Sequence, residues 1–167
     1  SEPPILWYCQ DTDGDLKADK KTEAFRGYAT QGPVEHTENG LMPGLDNWLY
    51  NAKSTKRLKF EDGKVMVENT VFRGQWGIAQ DNYGRLYYNS NSAPLFCDTI
   101  PGVYTVRNPH HPTRNGLGYR LWGDGSVWTG RLNTGINRGY QNGMLREGRL
   151  ARWTGASGPM IYRGDQY

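Results

Sequence analysis

Two stretches decide the fold, Asn39-Gly-Leu-Met-Pro-Gly-Leu-Asp-Asn-Trp-Leu-Tyr-Asn51 and Gln75-Trp-Gly-Ile-Ala-Gln-Asp-Asn-Tyr-Gly-Arg-Leu-Tyr-Tyr-Asn89. In each, Gly and small apolar residues approach an Asp-Asn pair, and alternating aromatic and aliphatic residues leave it. Asp-Asn supplies tight-turn chemistry, and alternation with period two is the mark of a strand with one buried face. Each stretch therefore reads as strand, turn, strand. The two turns recur 35 residues apart, from Asp46 to Asp81. Between them, Lys56-Arg-Leu-Lys-Phe60 and Val65-Met-Val67 flank an Asp62-Gly63 turn, which predicts a further hairpin.

The repeating unit is thus about four short strands, the sequence signature of a β-propeller blade. A third relative begins at Gly148-Arg-Leu-Ala-Arg-Trp153 and runs into Ser157-Gly-Pro-Met-Ile-Tyr-Arg-Gly164, with a strand expected at Met160–Tyr162. From Asp98 to Gln141 the rhythm breaks in a stretch rich in Gly, Asn, Pro and Arg. Residues 98–141 read as a long irregular insertion between blades, holding a short hairpin at Leu121–Val127 around Gly123-Asp-Gly125. The expectation for residues 1–167 is one all-β segment of about three blades. A ring needs at least about four blades of roughly 40–45 residues, so such a segment belongs to a larger propeller. A small sandwich with the same turn rhythm is the alternative.

Composition agrees with many short strands: 22 Gly, 11 Tyr and 6 Trp in 167 residues. The formal charge of +3 comes from interspersed residues of both signs, and no polybasic stripe marks a nucleic-acid partner. No apolar run approaches the roughly 20 residues of a transmembrane helix. Cys9 and Cys97 fit no metal or redox spacing, and one disulfide or two thiols are equally compatible with them.

The most specific motif is Asp11-Thr-Asp-Gly-Asp-Leu-Lys-Ala-Asp19, with carboxylates at positions one, three, five and nine. Calcium takes six to eight hard oxygen ligands, and this spacing wraps Asp11, Asp13, Asp15 and Asp19 around one ion, with the Lys17 backbone carbonyl adding another. Position six is Leu16 and position twelve is Thr22, where an EF-hand has Gly and Glu. With the strand-like Leu6-Trp-Tyr8 before it, the loop reads as a structural calcium hairpin of an extracytoplasmic, periplasmic-type domain. A solvated acidic turn is the bland alternative.

The order Leu6-Trp-Tyr, Asp-Thr-Asp-Gly-Asp, Glu35-His-Thr-Glu-Asn-Gly-Leu-Met-Pro-Gly-Leu-Asp-Asn-Trp-Leu-Tyr50 and Arg73-Gly-Gln-Trp-Gly-Ile-Ala-Gln-Asp-Asn-Tyr-Gly-Arg-Leu86 resembles the membrane-bound dehydrogenase family of planctomycete and verrucomicrobial bacteria. The likeness continues through Arg107-Asn-Pro109, Gly135-Ile-Asn-Arg-Gly-Tyr140 and Gly158-Pro-Met-Ile-Tyr-Arg-Gly-Asp165. It implies a propeller related to soluble glucose and sorbosone dehydrogenases, a sugar or alcohol substrate, pyrroloquinoline quinone as cofactor and a cytochrome c as electron acceptor. It also implies that His36 serves as general base, and that Arg107 and Asn108 contact the quinone. Adjacent His110 and His111 stand where those relatives have Gln-Gly.

Arg138, with Tyr140 and Trp76, suits a central pocket in which Arg holds anions and aromatics stack on sugars or planar ligands. For His36 the alternative is a ring hydrogen-bonded between strands, and for Trp76 it is packing between blades. Two functions follow from different classes: a quinoprotein-like dehydrogenase, or a non-catalytic calcium-binding propeller module that holds a partner protein or carbohydrate. The first requires His36, Arg107 and Arg138 to converge on one pocket.

Overall fold

Strand follows strand in antiparallel pairs as far as Asp98, and more sparsely among the described residues beyond it. The computed structural model describes residues 2–108, 110, 115–130 and 140–166. Ile5–Gln10 (β1) and Lys20–Arg26 (β2) form a hairpin around the acidic loop. Asn39–Pro43 (β3), Leu49–Ala52 (β4), Ser54–Glu61 (β5) and Lys64–Arg73 (β6) form an up-and-down sheet in chain order. Ile78–Gln80 (β7), Leu86–Ser90 (β8), Ala93–Asp98 (β9) and Tyr119–Arg120 (β10) repeat that plan in a second four-stranded sheet. Leu145–Arg146 (β11) and Arg149–Leu150 (β12) close a last short hairpin. The described chain is all-β apart from one short helix, Gly102–Arg107 (α1), and a 3-10 turn at Val34–His36. None of its helices is long and apolar enough to cross a membrane.

Local chemistry accounts for the turns. Asp62 and Gly63 both take positive φ, 50° and 72°, as a two-residue type I′ hairpin turn requires. In the two Asp-Asn turns the carboxylates accept backbone N–H bonds two residues on, from Trp48 to Asp46 at 3.2 Å and from Tyr83 to Asp81 at 2.9 Å.

The core lies between successive sheets. Tyr50 and Ala52 of β4 pack on Ile78, Leu86 and Tyr88 of the second sheet, while Leu58 of β5 packs on Leu6, Tyr28 and Ala29 at the first hairpin. Burying each of these larger side chains stabilises the fold by roughly 1.5–3 kcal/mol. Buried charge is paired. Arg73 donates through Nε to Asp98 at 3.1 Å, and the other Asp98 oxygen accepts from the Tyr88 hydroxyl at 2.8 Å and the Gly118 N–H at 2.9 Å. Arg57 bonds Glu68, Asp46 and the Tyr50 hydroxyl while lying over the Trp48 ring. Burial, with the Asp46 bond, pushes the Tyr50 hydroxyl up to about 12.

The first strands of the two sheets touch. A Cβ on Gly40 of β3 would stand 2.5 Å from the Gly77 Cα, so β3 has no room for a side chain there. Gly77 in turn faces Gly158, whose N–H donates to the Trp76 carbonyl at 2.8 Å. Close backbone contacts thus run from Gly40 through Gly77 to Gly158.

Three expectations change. Met160–Tyr162 belongs to no strand ladder; Met160 and Ile161 line a shallow groove with residues 42–45 and 78–80. Leu121–Val127 does not pair with itself: the Leu121 N–H goes to the Leu95 carbonyl and the Val127 N–H to Ala151. The described residues of 98–141 are also more regular than an insertion implies, since they supply α1 and the fourth strand of the second sheet. Cys9 is exposed, Cys97 is buried, and the two are not bonded to each other.

Candidate functional site

The acidic loop is built by its own carboxylates. Asp11 accepts the N–H groups of Gly14 at 2.7 Å, Leu16 at 2.9 Å and Asp13 at 3.2 Å. The bonds from Gly14 and then Leu16 hold its carboxyl below the usual carboxylate range. Asp13 accepts from the Asp15 N–H at 3.2 Å, and Asp15 from the Lys17 N–H at 2.8 Å. These turns bring Asp11, Asp13 and Asp15 together, with one carboxylate oxygen of each within 4.8 Å of the others. Three hard carboxylates so gathered fit calcium in donor type. Asp19 is engaged otherwise, accepting from the Thr12 N–H at 3.0 Å and its hydroxyl at 2.9 Å, and the Lys17 ammonium lies 3.8 Å from Asp15.

His36 stands at the end of the 3-10 turn, just ahead of β3, and is half-buried. Its Nδ1 lies 3.2 Å from Gln75 Nε2, and its ring tilts against Trp76 with centroids 5.3 Å apart. Gln75 and Trp76 lead into β7, so the two strand heads meet at this point. Asn39 clamps them: its amide nitrogen donates to the Thr37 and Gln75 carbonyls, each at 2.9 Å, and its oxygen accepts the Gly77 N–H at 3.0 Å. His36 is therefore hydrogen-bonded between neighbouring repeats and also open to solvent.

Arg107 lies elsewhere. It ends α1, which docks on β6, the strand of the first sheet farthest from β3, about 14 Å away at ordinary strand spacing. Its guanidinium bonds Glu68 through Nε, at 2.7 Å, and through Nη2. Burial would raise the Glu68 pKa, but Arg57 and Arg107 together hold it below the usual range. Asn108 caps α1, its N–H donating to Tyr104 and its side-chain oxygen accepting from the His110 N–H at 3.0 Å. Arg138 and His111 lie outside the described residues, and Tyr140 is exposed. Arg107 and Asn108 thus have internal partners and lie apart from His36. The sequence reading missed Gln75, Asn39 and Glu68 as partners; Asn39 and Gln75 open the two quoted repeats, which was the one signal available for them.

No curated protein and no solved structure matches the chain. The model of a family described as a domain of unknown function, DUF7133, matches residues 1–167, and the chain belongs to that family.

Proposed function

We propose that this chain is a calcium-stiffened section of an extracytoplasmic β-propeller that binds a sugar or similar hydroxylated ligand at the heads of its innermost strands. The carrying observation is the meeting of His36 and Trp76, both half-buried, where β3 and β7 touch. An aromatic face beside a polar ring is the pairing that holds a sugar, one part stacking and the other hydrogen-bonding. Support for the propeller comes from two four-stranded sheets of the same plan laid side by side with their first strands in contact. The gathered Asp11, Asp13 and Asp15 support the calcium brace. Remaining blades come from the rest of the assembly.

The binding reading is favoured over dehydrogenation because Arg107 and Asn108 are spent on Glu68 and on the end of α1. One observation favours the second reading: His36 stands just ahead of β3, which on the propeller reading is an innermost strand, where an alcohol-oxidising enzyme that passes electrons to a cytochrome c would carry its base. The full-length protein, supplied with calcium and pyrroloquinoline quinone, separates the two in a dye-reduction assay over a panel of sugars and alcohols. Calorimetric binding of a sugar without dye reduction is expected, weakened about tenfold by Trp76→Ala. Sugar-dependent dye reduction would transfer the case to the dehydrogenase.

A further inference from the structure

Gln75 has its side-chain amide between two partners. Its oxygen accepts the Asn91 backbone N–H at 3.0 Å, and its nitrogen faces His36 Nδ1 at 3.2 Å. A backbone N–H only donates, so the end of the amide that meets Asn91 is the oxygen. The other end is then the NH2 group, which also only donates. Facing a donor, His36 Nδ1 must accept, and in a neutral imidazole the proton then sits on Nε2.

We infer that Gln75 is a positioning residue that holds His36 as the Nε2–H tautomer, so that His36 offers an incoming ligand a hydrogen-bond donor rather than a basic lone pair. A turn of the Gln75 amide by half a revolution would free Nδ1 to carry the proton, but it would set NH2 against the Asn91 N–H. Two donors would then face each other, and the bond to Asn91 would be lost. Asn39 blocks the other escape, a shift of the backbone, by holding the Gln75 carbonyl and the Gly77 N–H at once. The class of ligand follows: a group with an accepting oxygen, such as a sugar ring or hydroxyl oxygen. This assignment of ligand rests on the reading that His36 faces the bound sugar; the tautomer itself does not.

The test is long-range proton–nitrogen correlation of the full-length protein labelled with 15N-histidine, near neutral pH, with His36→Asn identifying the resonances of that ring. A pyridine-type Nδ1 and a pyrrole-type Nε2 are expected. A proton on Nδ1, in a neutral or a charged ring, or an averaged pair of resonances, overturns the inference. Gln75→Glu keeps the length of the side chain and presents an accepting oxygen to His36, so it is expected to draw the proton onto Nδ1. An unmoved pyridine-type Nδ1 in that variant shows that Gln75 does not hold the ring, and likewise overturns it. Added D-glucose should then shift the Nε2–H resonance. Failure of that shift with the tautomer as stated defeats the ligand reading alone.

Discussion

Asp11 draws its three backbone bonds from within five residues of itself, which is why the loop was legible in the sequence: its chemistry is local. Its depressed pKa also sets a pH dependence. The stabilisation is complete above the unfolded value, about 3.9, and is lost as pH falls through the lower folded value. Calcium binding, which needs the ionised carboxylates, should weaken over the same acid range. Calcium should raise the melting temperature of the full-length protein in a concentration-dependent way, and Asp13→Asn should remove most of that rise in calorimetric scans at neutral pH. An unchanged calcium response would mean that the metal binds elsewhere. Burial decides which charged residues matter to stability. Asp98→Ala leaves Arg73 buried and unpaired and should cost roughly 3–5 kcal/mol in denaturant unfolding. Lys21→Ala, which breaks the exposed pair with Glu2, should cost under about 1 kcal/mol.

Among the elements, β3 to β8 follow from period-two alternation and turn residues, and the chain reverses between β3 and β4 and between β7 and β8 where Asp-Asn places the turns, whereas β10 came from a stretch that reads as irregular. The helix α1 does not. Gly102-Val-Tyr-Thr-Val-Arg107 is rich in β-branched residues and has no side-chain cap, so propensity argues for a strand. Tertiary contact overrides it: Val103 is buried, Arg107 binds Glu68, and a Cβ on Gly102 would lie 1.9 Å from Val71 Cγ2. A helix made by docking cannot be read from its own residues. The close approach of Gly40 and Gly77 was likewise invisible except as glycines within a repeat. Gly40→Ala combines a collision with the neighbouring backbone and a φ of 63° that L residues disfavour. It should cost roughly 2–4 kcal/mol by chemical denaturation, whereas Gly63→Ala, with open space at its Cβ, should cost only the left-handed backbone term of about 1–2 kcal/mol.

For the molecule as a whole, the sequence separates the readable from the unreadable by distance along the chain. The acidic loop and the hairpin turns involve residues a few positions apart, whereas His36 meets Gln75 across 39 residues and Arg107 meets Glu68 across the same span. The convergence that dehydrogenase chemistry asks for was a statement about such long-range placement, and His36 and Arg107 are found at opposite sides of the first sheet. Beside the core shared by the two sheets, the contacts of Gly40, Gly77 and Gly158 bring His36 and Trp76 to one place. The most direct test is an atomic-resolution structure of the full-length chain. It should show β3, β7 and the 158–163 segment as the innermost strands of three consecutive blades around a common axis, with His36 and Trp76 facing the axial opening. Two sheets packed face to face as a closed sandwich, with His36 and Trp76 on its outer surface, would contradict it.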